Sequence, residues 1–224
     1  MLLHGQNINF VVNENVFLFS HPNSTSFHIM QNGIFEKNII EWCKQFGNPE
    51  KTFIDIGAHA GTYSIILADH FKNVHAFEAQ RKTFYQLCGG IVLSGKNNIE
   101  AHRTALSDIK AKEKLHIFST DGGSSSLNSE EFVGKLITTE TVDVNTLDSF
   151  ELKDVAFIKI DVEGLELNVL KGSLNTLKDS DFPKILFESN SYNKSLNDIT
   201  ELLKIYGYNI APINGCKNMF LASI

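Results

Sequence analysis

From Thr52 onward the chain alternates short apolar runs with helical patterns, and this alternation narrows the possible folds more than any other feature. Strand-like Thr52–Gly57, Asn73–Ala79 and Ile99–Leu106 are interleaved with helix-like Thr62–Phe71 and Arg81–Leu93. After a break the pattern resumes with strand 156–162, helix 165–177, strand 184–189, helix 196–206 and terminal strands 208–213 and 219–223. Strands that return through helices pair in parallel, and their near-continuous apolar content means both faces are covered. The expectation is an α/β fold with a mostly parallel sheet and helices on both faces.

The flanks are read the same way. Phe10–Val12 and Val16–Phe19, followed by Asn, Ser, Pro and Gly, read as two or three short strands within residues 8–33. Phe35, Ile39, Trp42, Cys43 and Phe46 recur at helical spacing. In the middle, 115–118 and 137–144 look like strands around the loop Asp121–Ser126, an insertion near the site. A length of 224 residues fits one domain over 1–224, made of an N-terminal β extension (1–34) and an α/β core (35–224).

Composition excludes several classes. Apolar and charged fractions of 42% and 21% are those of a globular chain. A net charge of −6 provides no basic field for phosphate backbones, so nucleic acid is not expected as a partner. No apolar run approaches the roughly 20 residues of a membrane helix, and no leader pattern opens the chain, so a cytoplasmic protein without membrane contact is expected. Cys43, Cys88 and Cys216 are too far apart for a metal-ligand spacing and read as buried, reduced thiols. The histidines form no H-x-x-x-H spacing, so no metal site is inferred; Asp161 with Glu163 offers only a weak magnesium-like pair. Nothing in the pattern specifies an oligomeric state.

Three segments carry chemistry. Phe53–Thr62 is a buried strand running into a loop with Gly57 and Gly61 and then a helix. Such a turn lets backbone approach a ligand, and N–H groups at a helix start suit a carboxylate. Gly57, Ala58, His59, Gly61 and Thr62 are therefore candidate cofactor contacts, while Asp55 either orients the loop or binds an ammonium. Glu78, with Ala79 beside it, ends the next strand, where α/β folds grip a ribose diol. A dinucleotide site wants G-x-G-x-x-G, whereas here the glycines are Gly57-x-x-x-Gly61, which favours S-adenosylmethionine over a nicotinamide.

In the third segment, Phe157–Gly164, a core strand delivers Asp161 and Glu163 to the rim of the sheet. Asp161 is placed to sit beside a sulfonium and take a proton from a hydroxyl; the competing role for either acid is a helix cap. Glu188 ends another strand at the same rim and is a second candidate base. Ser124–Ser126 either lines an acceptor pocket or is an ordinary turn.

Taken in order, Phe53–Thr62, Phe77-Glu78, Thr104–Asp108, Gly123–Ser125, Val144–Asp148, Phe157–Gly172 and Leu186–Glu188 resemble the hallmark segments of the FkbM-type methyltransferase family. The resemblance implies a class I methyltransferase (Rossmann-like) sheet of seven strands with an antiparallel last strand, S-adenosylmethionine as cofactor, and O-methylation of a saccharide or small-molecule acceptor. Carried over by position, Asp55, Gly57 and Gly61 match the cofactor loop and Glu78 the ribose acid. Ala105 and Leu106 match the segment passing the adenine, and Asp161 the acid beside the methyl group. Gly89-Gly90 stands where the family commonly has asparagine, and His59 where it often has asparagine. A non-catalytic module that binds S-adenosylmethionine or a glycan, and a nicotinamide-dependent oxidoreductase, are the rival functions.

Overall fold

The computed structural model describes residues 8–13, 16–20, 34–119, 123–128, 135–189 and 195–224. A seven-stranded sheet organises them. Its strands are β3 (Asn48–Ile56), β4 (Phe71–Phe77), β5 (Ile99–His102), β10 (Val155–Ile160), β11 (Lys184–Glu188), β12 (Asn209–Pro212) and β13 (Met219–Ser223), in the spatial order β12-β13-β11-β10-β3-β4-β5. β5, β4, β3, β10 and β11 are mutually parallel, and β13 is antiparallel to both of its neighbours. This is the class I methyltransferase topology, with the antiparallel last strand inserted beside β11.

Two apolar layers sandwich the sheet, as the alternation requires. Phe53, Phe157 and Leu186 point to one side, where Phe53 and Phe157 stack at 5.3 Å. Ile54, Ile158 and Ile185 point to the other. The helices that cover these layers are α1 (Lys37–Cys43), α2 (Thr62–Leu67), α3 (Arg81–Leu93), α4 (Glu166–Lys171), α5 (Leu174–Asp179) and α6 (Ser195–Ile205). Among the described residues, no helix is long and apolar enough to cross a membrane.

Two expected elements are divided. The strand expected over Ile99–Leu106 splits between sheets: β6 (Ala105–Leu106) joins a second, four-stranded sheet with β7 (Ala111–Ile117), β8 (Ser125–Ser126) and β9 (Thr138–Asn145). The Thr104 hydroxyl turns the chain by donating to the Asp143 carbonyl at 2.9 Å while accepting from Asn145. The helix expected over 165–177 breaks into α4 and α5 at Gly172. A Cβ there would collide with the Ser107 carbonyl, so the helix must turn where the β6 connection crosses it. Of the three cysteines, only Cys43 is buried; Cys88 and Cys216 are half-buried.

The N-terminal extension forms an antiparallel hairpin of β1 (Ile8–Asn13) and β2 (Val16–Ser20); any third strand within 21–33 falls outside the described residues. β2 lies on α3, with the Phe17 N–H donating to the Ser94 hydroxyl at 2.8 Å. Gly89 and Gly90 make that seat: a Cβ at 89 would meet the Phe19 ring at 2.9 Å, and one at 90 the Phe17 carbonyl at 2.8 Å. The departure from the family pattern at Gly89-Gly90 thus has a steric reason.

Gly172→Ala should destabilise the fold by roughly 1–3 kcal/mol, the usual cost of forcing an extra carbon into a packed site. A urea midpoint that falls with unchanged slope would show it. A midpoint equal to the wild type would mean that the crossing relaxes freely.

Candidate active site

β3 and β10 lie side by side at the centre of the sheet, with the strand order running outward from them in both directions, so a crevice opens beyond their carboxyl ends. Gly57 allows the two ends to converge. It has φ of 76°, and a Cβ would strike the Asp161 carbonyl. The loop that follows is tied to β4: the Gly57 and Ala58 N–H groups donate to the Phe77 carbonyl, and the His59 N–H donates to Glu78 Oε2 at 2.9 Å. Glu78 Oε1 accepts the Gln80 N–H at 2.8 Å, and burial raises its carboxyl pKa despite nearby His59.

Beyond this loop lies a cavity of about 350 Å³, within the roughly 300–1,000 Å³ of small-molecule sites. Gly57, Ala58, His59, Thr62, Glu78 and Ala79 line one end, with Ala105 and Leu106 from β6. Asp161, Glu163 and Glu188 line the other, so eleven of the thirteen expected residues meet there. The exceptions are Asp55 and Gly61. Asp55 is fully buried behind the wall, where its Oδ2 accepts both the N–H and the hydroxyl of Ser64. It orients the loop and α2 and does not line the cavity. Gly61, at φ 90°, packs against Leu87 and turns the chain into α2. The Gly57, Ala58, His59 and Gly61 N–H groups are all used internally; those of Ala60 and Thr62 have no acceptor among the described residues and border the cavity.

The acidic end is built around a lysine with no role assigned from the sequence. Lys159 Nζ is 3.1 Å from Asp161 Oδ2, 3.4 Å from the Gly57 carbonyl and 3.8 Å from Asp55 Oδ1, and lies 4.9 Å over the Tyr63 ring. Burial opposes its charge, but Asp161, Asp55 and Glu36 outweigh that, and its pKa is raised. Glu36, just before α1, accepts the Tyr63 hydroxyl at 2.9 Å, and burial raises its pKa. Glu163 is pushed up to about 8 by burial, then by Asp161 and Glu188. Glu188 reaches about 8 through burial, the charge of Asp161 and a hydrogen bond to it.

Neither Asp161 nor Glu163 caps a helix, because α4 starts at Glu166 and carries no side-chain cap. The loop is braced instead by Glu166, whose Oε1 accepts the Gly164 N–H at 3.1 Å; burial pushes its carboxyl to about 7. Ser125 lines the cavity, and the Ser126 hydroxyl donates to the Glu163 carbonyl at 3.0 Å, which pins β8 over the site. Asp121 and Gly122 of that loop fall outside the described residues.

Two acids of the hallmark segments, Asp108 and Asp148, serve the scaffold rather than the cavity. Asp108 accepts from the Asn168 side chain at 3.0 Å and so holds α4. Asp148 takes the Asn175 and Thr176 N–H groups and the Thr176 hydroxyl, which anchors the start of α5. Leu18 and Phe19 of the hairpin, with Phe35, close an apolar side of the cavity.

Residues 55–210 match the model of the FkbM methyltransferase domain. Methyltransferase 1 of Beauveria bassiana is 27% identical over 147 residues, which make up 55% of this chain and 59% of that protein. The FkbM methyltransferase of Methylobacillus flagellatus superposes with a TM-score of 0.59 at 19% identity, covering 78% of this chain and 44% of that one. The tRNA (uracil-54, C5)-methyltransferase of Pyrococcus abyssi, solved with S-adenosyl-L-homocysteine, superposes with a TM-score of 0.50 at 15% identity, covering 96% of this chain and 43% of that one. The chain thus spans less than two thirds of the length of each of these proteins.

Lys159→Met should cost about 3–5 kcal/mol of stability, because it strands Asp55 and Asp161 without their counter-charge. Denaturant melts test this; a loss below about 1 kcal/mol would mean that the lysine does not hold the rim together.

Proposed function

The chain belongs to the FkbM methyltransferase family, and from that membership we propose that it moves a methyl group from S-adenosylmethionine to a hydroxyl of a sugar, a glycan or a small metabolite. The observation that carries this reading is the unlike character of the two ends of one cavity. One end offers a buried acid and uncommitted loop N–H groups; the other gathers titratable carboxyls around a single ammonium.

The first end fits the cofactor. Both Glu78 oxygens already accept one N–H each, which fixes the carboxylate and leaves lone pairs for a ribose diol. The Ala60 and Thr62 N–H groups suit a carboxylate, and Ala105 and Leu106 give an apolar wall for a flat base. S-adenosylmethionine bound there supplies an electrophilic methyl group.

The residues of this chain then have three tasks. They exclude water, with Leu18, Phe19 and Phe35 covering the cavity. They hold the acceptor oxygen about 3 Å from the reacting carbon, which is where most of the acceleration arises. They take its proton, for which the hydrogen-bonded pair Asp161 and Glu188 is placed. Carboxyl groups at Glu36, Glu163 and Glu188 are matched to a hydroxyl-rich acceptor, since they donate or accept according to their protonation.

Asp161→Asn should lower kcat by about 10²–10⁴ while S-adenosylmethionine still binds. Wild-type turnover in that variant would sink the proton-acceptor role. A carboxyl accepts a proton only when deprotonated, so with Glu188 held at about 8, kcat should climb as pH rises through that value and level off above it. The same profile should move to lower pH in Asp161→Asn, where the charge that raises Glu188 is gone; a profile flat across that range would remove Glu188 from the proton path. Labelled methyl transfer to a panel of sugars and glycosides tests the acceptor class. Cofactor binding without transfer to any acceptor would favour a binding module instead.

A further inference from the structure

Outside the cavity, three metal-ligating side chains converge at the free edge of the main sheet. Parallel pairing of β4 with β5 sets His75 opposite Glu100, and His102 follows two residues on, on the same face. His75 Nδ1 lies 3.0 Å from His102 Nε2 and 3.7 Å from Glu100 Oε2, and His102 Nε2 lies 3.9 Å from Glu100 Oε1. All three donor atoms fall within 4.8 Å of one another, the one such group of three among the described residues.

We propose that His75, Glu100 and His102 bind a first-row transition-metal dication, Zn²⁺ in the first instance, which clamps β5 to β4. Bonds of about 2.0–2.1 Å at tetrahedral angles separate ligand atoms by about 3.4 Å; the two ring nitrogens lie somewhat closer than that, and each is somewhat farther from a different Glu100 oxygen. Two imidazoles and a carboxylate form a donor set that suits zinc and its neighbours rather than calcium or magnesium.

The imidazoles are preorganised. The His102 ring stacks on Phe77 at 4.5 Å and meets Phe150 edge-on at 5.1 Å, while the His75 and His102 rings lie nearly parallel, 5.3 Å between centroids. Without an ion, the two rings meet through one nitrogen each. A dication engages all three groups. Glu100, with a side chain 67% exposed, can adjust, and the solvent side leaves room for water as fourth ligand.

Such a clamp would act on the cofactor end of the cavity. β5 has only four residues and lies at the sheet edge. The His102 carbonyl accepts the Glu78 N–H at 3.0 Å, and the chain continues from His102 into the wall formed by Thr104, Ala105 and Leu106.

The test is calorimetric titration of ZnCl₂ into the tag-free, chelator-treated full chain near neutral pH, with thermal melts alongside. One ion per chain at micromolar or tighter affinity is expected, with a melting temperature that rises with zinc. Glu100→Gln removes an exposed ligand without touching the core and should weaken binding by at least the roughly 10–100-fold that even outer-shell losses cost. His75→Ala should do the same, with circular dichroism confirming the fold. Absence of binding by the folded wild type overturns the proposal. So does zinc binding of unchanged affinity in both variants, because the ion would then sit elsewhere.

Discussion

The ammonium of Lys159 is the contact on which the rest of the site depends. It sits where β3 and β10 end side by side and touches a backbone carbonyl from one strand and carboxylates from both. Glu36, Glu163 and Glu188 crowd this end of the cavity beside Asp161, and burial raises the pKa of all three, while the positive charge of Lys159 pulls each of them back down. Asp161 is paired with the lysine and hydrogen-bonded to Glu188, and Glu163 and Glu188 are held near 8 beside it. The same cation reaches Asp55, whose other oxygen holds the start of α2, so the geometry of the loop and the electrostatics of the rim are set together.

Much of this was legible in the sequence because it is local. Alternating apolar runs gave the parallel sheet and its order of helices, and strand ends carrying Glu78, Asp161 and Glu188 fell at one rim because parallel strands present their carboxyl ends together. A lysine inside the run Phe157–Ile160 was the signal for the buried cation: a charge in a fully buried strand must have partners. Glu36 and Tyr63 carried no comparable sign, since what brings them to the rim is how α1 and α2 pack, not any spacing along the chain.

Other parts were illegible for stated physical reasons. The sequence left Asp55 between orienting the loop and binding an ammonium, because its place beside the glycine loop does not report which way its side chain turns; it is buried and holds Ser64. The break between α4 and α5 follows from a backbone crossing at Ser107, and no helical periodicity reports what another segment does nearby. Asp108 and Asp148 sit in segments that resemble the family as closely as Phe53–Thr62 does, yet they anchor α4 and α5. Family likeness marks what must stay put, whether the reason is chemistry or scaffolding.

Gly89 and Gly90 give the fold an asymmetry in how it can be altered. The hairpin that covers the cavity rests on bare backbone in the middle of α3, so cover and helix are matched like a drawer and its runner. Grafting a different N-terminal segment, to redirect acceptor choice, would succeed only if its second strand kept the same close approach or if α3 were exchanged with it. A change at this side of the pocket is therefore coupled to the helix that seats the hairpin, and the two have to be altered as a pair.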